Sequence, residues 1–335
     1  MGILNSMRIA VFGAGAWGTA LAQAFSATHR VCLWGREADN IDAMRRMREN
    51  RLFLPGIALR PELEFSADFD QVAEGADLHL IATPLAGLRD TVRALRQPRA
   101  GAPVPLIWVC KGLEAGSGRL PHEIVAEETG RDAACGMLTG PSFAAEVGRG
   151  LPAAIALASN DAAFTHHWTR ILHQPRLRIY ANTDMIGCEI GGAIKNVIAI
   201  AAGVADGMGF GLNTRAALIT RGLAEIARLA EALGGRHDTL MGLAGMGDLI
   251  LTCTGDLSRN RQVGLALANG KTLSGILTEL GHVAEGVATA REVARLSRRF
   301  AIDMPICTAV DALLHHGLAT RDAVEQLLAR DPKQE

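Results

Sequence analysis

The sequence predicts an α/β domain with a mostly parallel sheet over residues 1–181, followed by an all-helical domain over 182–335. Three observations lead there. Uniform apolar runs, several of them followed by helical stretches, recur through the first half, as in strands buried on both faces of a parallel sheet. From about Asn182 the strand pattern stops and helical periods take over. At 335 residues the chain is longer than one hydrophobic core ordinarily serves.

Composition narrows the function. Hydrophobic residues make up 49% and charged residues 21%, as in globular proteins, and a formal net charge of -1 leaves no basic surplus for a nucleic-acid backbone. The six cysteines, Cys32, Cys110, Cys135, Cys188, Cys253 and Cys307, show no metal-finger or CxxC spacing. They predict buried thiols in a reducing cytoplasm, and no metal site. No secretory signal is visible. Met1-Gly2-Ile3-Leu4-Asn5-Ser6 fits a bare myristoylation pattern that is too loose to predict lipidation.

The first strand is expected at 7–12, followed at once by Gly13-Ala14-Gly15-Ala16-Trp17-Gly18 and a helix over 19–27. This is G-x-G-x-x-G in its strand-to-helix setting, the dinucleotide fingerprint of a Rossmann domain. Gly13 permits the tight turn, Gly15 clears the approach of a pyrophosphate, and Gly18 lets helix and strand pack closely. The N–H groups of Ala16 and Trp17 then face phosphate oxygens from a helix N-terminus. A second strand, 30–34, ends at Gly35-Arg36-Glu37, where an NAD-preferring fold usually carries an acidic residue. Arg36 suits a 2'-phosphate, so NADPH is favoured, while Glu37 leaves NADH open.

Further strands are expected at 77–84, 105–112, 135–142 and 153–158, with helices near 119–130, 142–149 and 161–172 and a last strand at 176–180. Ligands in such sheets lie beyond the carboxyl ends of the strands, where Lys111 and the Gly140-Pro141-Ser142 turn fall.

The second half opens on an apolar helix, 191–203, whose one cation is Lys195. Glu189 and Lys195 interrupt it, leaving a run shorter than the roughly 18 residues of a membrane span, so no transmembrane segment is expected. Lysine is rarely buried without a partner. From this segment alone, two readings stand: a structural Lys195 that snorkels or pairs with Glu189 or Asp206, and a catalytic acid/base. Helices follow near 213–233, 261–269, 285–299, 303–316 and 320–329. Asp248 and Thr252 stand four apart, on one face of any helix there. Taken alone, Asp248 reads as a helix N-cap and Ser258-Arg259-Asn260 as a capped turn. A guanidinium beside amide and hydroxyl groups also suits a phosphate.

Six motifs occur in order: Gly13-Ala14-Gly15-Ala16-Trp17-Gly18, Lys111-Gly112-Leu113-Glu114, Gly140-Pro141-Ser142-Phe143-Ala144, Lys195-Asn196-Val197-Ile198-Ala199, Gly245-Met246-Gly247-Asp248-Leu249 and Ser258-Arg259-Asn260. With them the chain resembles the NAD(P)-dependent glycerol-3-phosphate dehydrogenases of bacterial type, from about residue 7 to about 330. The resemblance implies reversible reduction of dihydroxyacetone phosphate to sn-glycerol 3-phosphate, supplying the glycerophospholipid backbone. It implies Lys195 as the general acid/base. Lys111, Gly140, Ser142, Asp248, Ser258, Arg259 and Asn260 become substrate contacts, with Asp248 orienting Lys195 or the substrate hydroxyl and Thr252 assisting on the same face. Ala16, Trp17, Arg36, Lys111, Ala144, Arg259, Val283 and Glu285 become contacts to NADPH or NADH. Two other readings remain at this point: a two-domain dehydrogenase for 3-hydroxyacids or sugar acids, and a non-catalytic NADPH sensor. A homodimer is kept as the assembly to test, on no residue of its own.

Overall fold

The computed structural model describes residues 6–96, 103–131, 133–281 and 284–329. The chain forms two compact units, one of Met1–Cys110 with Pro121–Met185, the other of Lys111–Leu120 with Ile186–Glu335. An undivided first domain over 1–181 is therefore corrected at Lys111–Leu120. The reason is local: Leu113 and Leu120 are buried in the core of the second unit, alongside Ile190, Ile194 and Val293.

The first unit runs β1 (Arg8–Phe12), α1 (Ala16–Phe25), β2 (Arg30–Trp34), α2 (Ala38–Met47), β3 (Glu64–Ser66), α3 (Phe69–Ala73), β4 (Leu78–Ile81), α4 (Leu88–Leu95), β5 (Leu106–Trp108), α5 (Pro121–Thr129), β6 (Cys135–Thr139), α6 (Ala144–Gly148), β7 (Ala153–Ala158), α7 (Ala162–Leu172) and β8 (Leu177–Asn182). The eight strands form one sheet in the order β3-β2-β1-β4-β5-β6-β7-β8. Every neighbouring pair is parallel except β6 with β7. Strand order reverses between β1 and β4, the switch point at which open α/β sheets bind their ligands. Ile9, Val11, Leu78, Leu80 and Ile107 are fully buried, as expected of strands covered on both faces.

The second unit is helical: α8 (Met185–Gly207), α9 (Gly211–Ala232), α10 (His237–Leu240), a π-helical turn (Leu243–Gly247), α11 (Asp248–Thr254), α12 (Arg259–Ala268), α13 (Leu273–Leu280), α14 (Glu285–Arg299), α15 (Pro305–His315) and α16 (Thr320–Leu328). Helix α8 is the hub of this unit. It is the one helix among the described residues long and apolar enough to cross a bilayer, and 94% of its most apolar window is buried inside the protein. Glycine makes the close packing there. A Cβ on Gly203 would lie 2.1 Å from the carbonyl oxygen of Arg261, and one on Gly264 would lie 2.1 Å from that of Ile200, so α8 and α12 cross backbone against backbone. At the start of α15, Glu225 from α9 accepts from the N–H groups of Ile306 at 2.7 Å and Cys307 at 3.1 Å. A buried carboxylate thus serves as the missing cap.

Candidate active site

In the first unit the glycine fingerprint takes the form its spacing demands. Gly13 has φ +122°, and a Cβ there would press to 2.6 Å of the Ala82 carbonyl at the end of β4. A Cβ on Gly18 would meet the Gly13 carbonyl oxygen at 2.0 Å, so these two glycines hold β1, α1 and β4 together. Gly15 differs: a Cβ there would meet nothing within 4 Å. It stands at the N-cap of α1 with no side-chain cap, so the first-turn N–H groups of Ala16 and Trp17 have no capping side chain beside that open space. An uncapped helix start beside room for an anion fits a dinucleotide pyrophosphate. Arg36, just past β2, is 83% exposed and pairs with Glu37 through Nε at 3.0 Å and Nη2 at 2.9 Å.

Gly140 and Ser142 also belong to the first unit, past the end of β6. Gly140 has φ +130°, and its missing Cβ would lie 3.1 Å from the Ile155 backbone of β7. The Ser142 hydroxyl donates to the Gly140 carbonyl at 2.9 Å. Ala144 opens α6 and packs against the core of this unit.

The second unit brings four of the singled-out residues together. Lys195, on α8, is buried, and its ammonium donates to Asp248 Oδ1 and, at 2.9 Å, to Thr252 Oγ1. Lys111 donates to the other carboxylate oxygen, Asp248 Oδ2, at 2.6 Å. Asp248 is 1% exposed. The Thr252 hydroxyl sends its own proton to the Asp248 carbonyl at 2.6 Å, which leaves its lone pairs for Lys195. Burial pushes the Lys195 ammonium down to about 8, with Lys111 lowering it further and Asp248 pulling the other way. An ammonium has three protons; two are engaged here, and the third has no partner among the described residues.

Two expectations for these residues are corrected. Lys195 pairs with neither Glu189 nor Asp206; Asp206 is held by Arg215 at 2.8 Å and Arg261 at 2.8 Å. Nor is Asp248 an N-cap. The chain enters α11 through the π-helical turn, where the Gly247 N–H already reaches the Gly242 carbonyl at 3.1 Å, so the carboxylate is free to take the two lysines.

Of the remaining candidates, Ser258 is the N-cap of α12, accepting from the Arg261 N–H at 3.2 Å. Arg259 is exposed and makes no ion pair among the described residues. The buried Asn260 amide donates to Asn196 Oδ1 at 3.0 Å and accepts from the Gly286 N–H at 3.1 Å, leaving one N–H of its amide for a ligand. Glu285 opens α14 half-buried; burial pushes its carboxyl above the usual carboxylate range, while the charges of Arg259, Lys111 and Lys195 oppose that rise. Val283 lies outside the described residues. Sequence reasoning passed over Glu292, a buried carboxylate on α14 that accepts from the Gly116 N–H at 3.0 Å. The only signal was the glycine-rich run after Lys111.

The family described as NAD-dependent glycerol-3-phosphate dehydrogenase N-terminus matches residues 8–165, and the one described as its C-terminus matches residues 184–325. A glycerol-3-phosphate dehydrogenase (NAD(P)+) of Aromatoleum aromaticum is 69% identical over 330 residues, covering 98% of this chain and 100% of the relative. Its counterpart in Dechloromonas aromatica is 60% identical over 329 residues, covering 98% and 99%. The solved glycerol-3-phosphate dehydrogenase of Coxiella burnetii is 41% identical with a TM-score of 0.91, over 97% of this chain and 99% of that one. The fold, the order of the motifs and these matches along nearly the full length agree, and the chain belongs to the NAD-dependent glycerol-3-phosphate dehydrogenase family.

Proposed function

We propose that this protein is an oxidoreductase that interconverts dihydroxyacetone phosphate and sn-glycerol 3-phosphate with NAD(P)H, supplying the glycerophospholipid backbone. The observation that carries the mechanism is the buried Lys195 ammonium, fixed through two of its protons by Asp248 and Thr252, with an acidity near neutral. The nicotinamide cofactor, when bound, supplies a hydride to the substrate's carbonyl carbon. As the carbonyl electron pair collects on oxygen, Lys195 donates its third proton there and becomes a neutral amine. In the reverse direction the amine takes the proton back from the alcohol. A group near 8 serves both directions at neutral pH because neither of its forms is strongly disfavoured. Asp248 orients Lys195 and is itself neutralised by Lys111.

Gly13, Gly15, Ala16, Trp17 and Gly18 hold the cofactor's pyrophosphate, and Arg36 takes a 2'-phosphate once it leaves Glu37, which favours NADPH. Arg259 grips the substrate phosphate as a planar fork, aided by the remaining Asn260 N–H. By the resemblance, Gly140, Ser142, Ser258 and Lys111 are taken as substrate contacts, and Ala144, Val283 and Glu285 as cofactor contacts. The free thiols Cys32, Cys253 and Cys307 support a cytoplasmic location. Exposed Phe210 and Leu212, the latter 73% accessible, support a homodimer that gel filtration would reveal.

The deciding experiment follows NADPH oxidation with dihydroxyacetone phosphate and with unphosphorylated dihydroxyacetone, in wild type and Lys195→Met. The phosphate ester is the strongly preferred substrate, and the variant folds and binds NADPH but loses roughly 10²–10⁴ in kcat. A folded Lys195→Met protein retaining more than about a tenth of wild-type kcat removes the proton-donor role.

A further inference from the structure

The segment Lys111–Leu120 is a built loop. Its ends are tied where the Glu114 N–H reaches the Arg119 carbonyl at 2.9 Å, and the Gly118 N–H closes on the Glu114 carbonyl at 2.8 Å. Gly116 and Gly118 turn the tip with φ +86° and +69°, and Leu113 and Leu120 sink into the apolar core. At one end Lys111 meets Asp248. At the tip the Gly116 N–H donates to Glu292 Oε1.

Glu292 is a nearly buried carboxylate, held by that loop N–H and by Arg295 Nη1, at 3.0 and 3.2 Å. Burying a carboxylate is unfavourable unless it is hydrogen-bonded, and a half-exposed arginine could have been paired without drawing the carboxylate inside. The bond that requires the inward position is the one to Gly116. Glu292 also lies seven positions after Glu285, on the same face of α14 and about 10.5 Å along it. One helix face therefore carries both the loop's anchor and a carboxylate that feels the charge of Lys111.

We propose that Glu292 is a positioning residue: it latches the Lys111–Leu120 loop to α14 and thereby keeps Lys111 on Asp248. The proposal rests on the dehydrogenase reading above. The groups acting on Lys195 are Asp248 and Cys253 from α11, Lys111 from the loop and Glu285 from α14. Lys111 is the one like charge among them, so releasing it makes the Lys195 ammonium harder to deprotonate.

The test measures kcat/KM for dihydroxyacetone phosphate reduction against pH, which reports the groups of the free enzyme. Wild type loses activity above a limb near pH 8. Glu292→Leu moves that limb up by roughly one pH unit, as does Lys111→Met. The double variant moves it no further than Lys111→Met alone, since both act through one charge. A limb that stays at the wild-type pH in Glu292→Leu, or shifts that add in the double variant, overturns the latch. If the leucine variant does not fold, Glu292→Gln and Glu292→Asp ask the same question. Glutamine keeps an acceptor at the Gly116 N–H and leaves the limb in place, while aspartate withdraws it and shifts the limb; identical limbs overturn the proposal. A wild-type limb that persists in Lys195→Met defeats the catalytic reading instead, whatever Glu292 does.

Discussion

Thr252 accepts a hydrogen bond from Lys195 at 2.9 Å while its own proton is committed to the carbonyl of Asp248, one helical turn behind it. The hydroxyl is thus held as the acceptor for one Lys195 proton and has none of its own to give the substrate. Thr252→Val keeps the shape, removes the acceptor, and leaves Lys195 fixed by Asp248 alone. A loss of about 1–1.5 kcal/mol is expected in transition-state stabilisation, or roughly tenfold in kcat, with Thr252→Ser close to wild type. Equal rates in the valine and serine variants would show that the hydroxyl does not orient Lys195.

The acidity of Lys195 predicts opposite pH dependences in the two directions. Dihydroxyacetone phosphate reduction needs the ammonium and falls as pH rises through about 8, while glycerol 3-phosphate oxidation needs the amine and rises through the same point. Stability follows from the same shift. The folded value lies below the ordinary 10.5, so between about 8 and 10.5 the unfolded chain holds the proton more tightly and this group's contribution to stability increases with pH. Urea melts at pH 8, 9 and 10 on wild type and Lys195→Met isolate that contribution, which the variant lacks.

Gly15 and Gly18 separate binding from folding. A Cβ at Gly15 meets nothing, so Gly15→Val should melt with wild type yet lose NAD(P)H binding, because the side chain fills the phosphate's space. Gly18→Ala places a methyl 2.0 Å from the Gly13 carbonyl oxygen and should lower the melting temperature outright. Fluorescence titration with NADPH beside thermal melts distinguishes them; a Gly15→Val protein with intact binding would move the pyrophosphate elsewhere.

Arg36 and Glu37 form an exposed ion pair just past β2. Exposed pairs of this kind are worth little, so a 2'-phosphate should displace Glu37 readily. Arg36→Ala should weaken NADPH by about 1–3 kcal/mol and leave NADH nearly unchanged. Parallel losses for both cofactors in isothermal titration would contradict a role in selecting NADPH.

Much of the first unit was legible because its signals are local. A strand, three glycines and a helix fall within one short stretch, and uniform apolar strands announce a buried sheet. β3 escaped because it has three residues, beginning at a glutamate, and α13 because Gly275 and Ser274 make it read as a break. In the candidate site, residue types were legible but partners were not. Lys195 meets a carboxylate 53 positions on, and Lys111 reaches the same carboxylate across 137. The nearer acids were poor choices on geometry. Glu189 falls on another face of α8, while Asp206 lies about 16 Å along the axis, beside the arginines that hold it.

The charge near the midpoint of α8 also bears on how the chain is made. This helix leaves the ribosome before α9, α12 and α14, which pack closely against it, have been synthesised. Until then it is a segment with the length and apolarity of a bilayer span. A lysine at the centre of a span adds about 2.5–3.5 kcal/mol to insertion. Lys195 therefore makes a bilayer a less favourable place for this segment, before it has a carboxylate to meet.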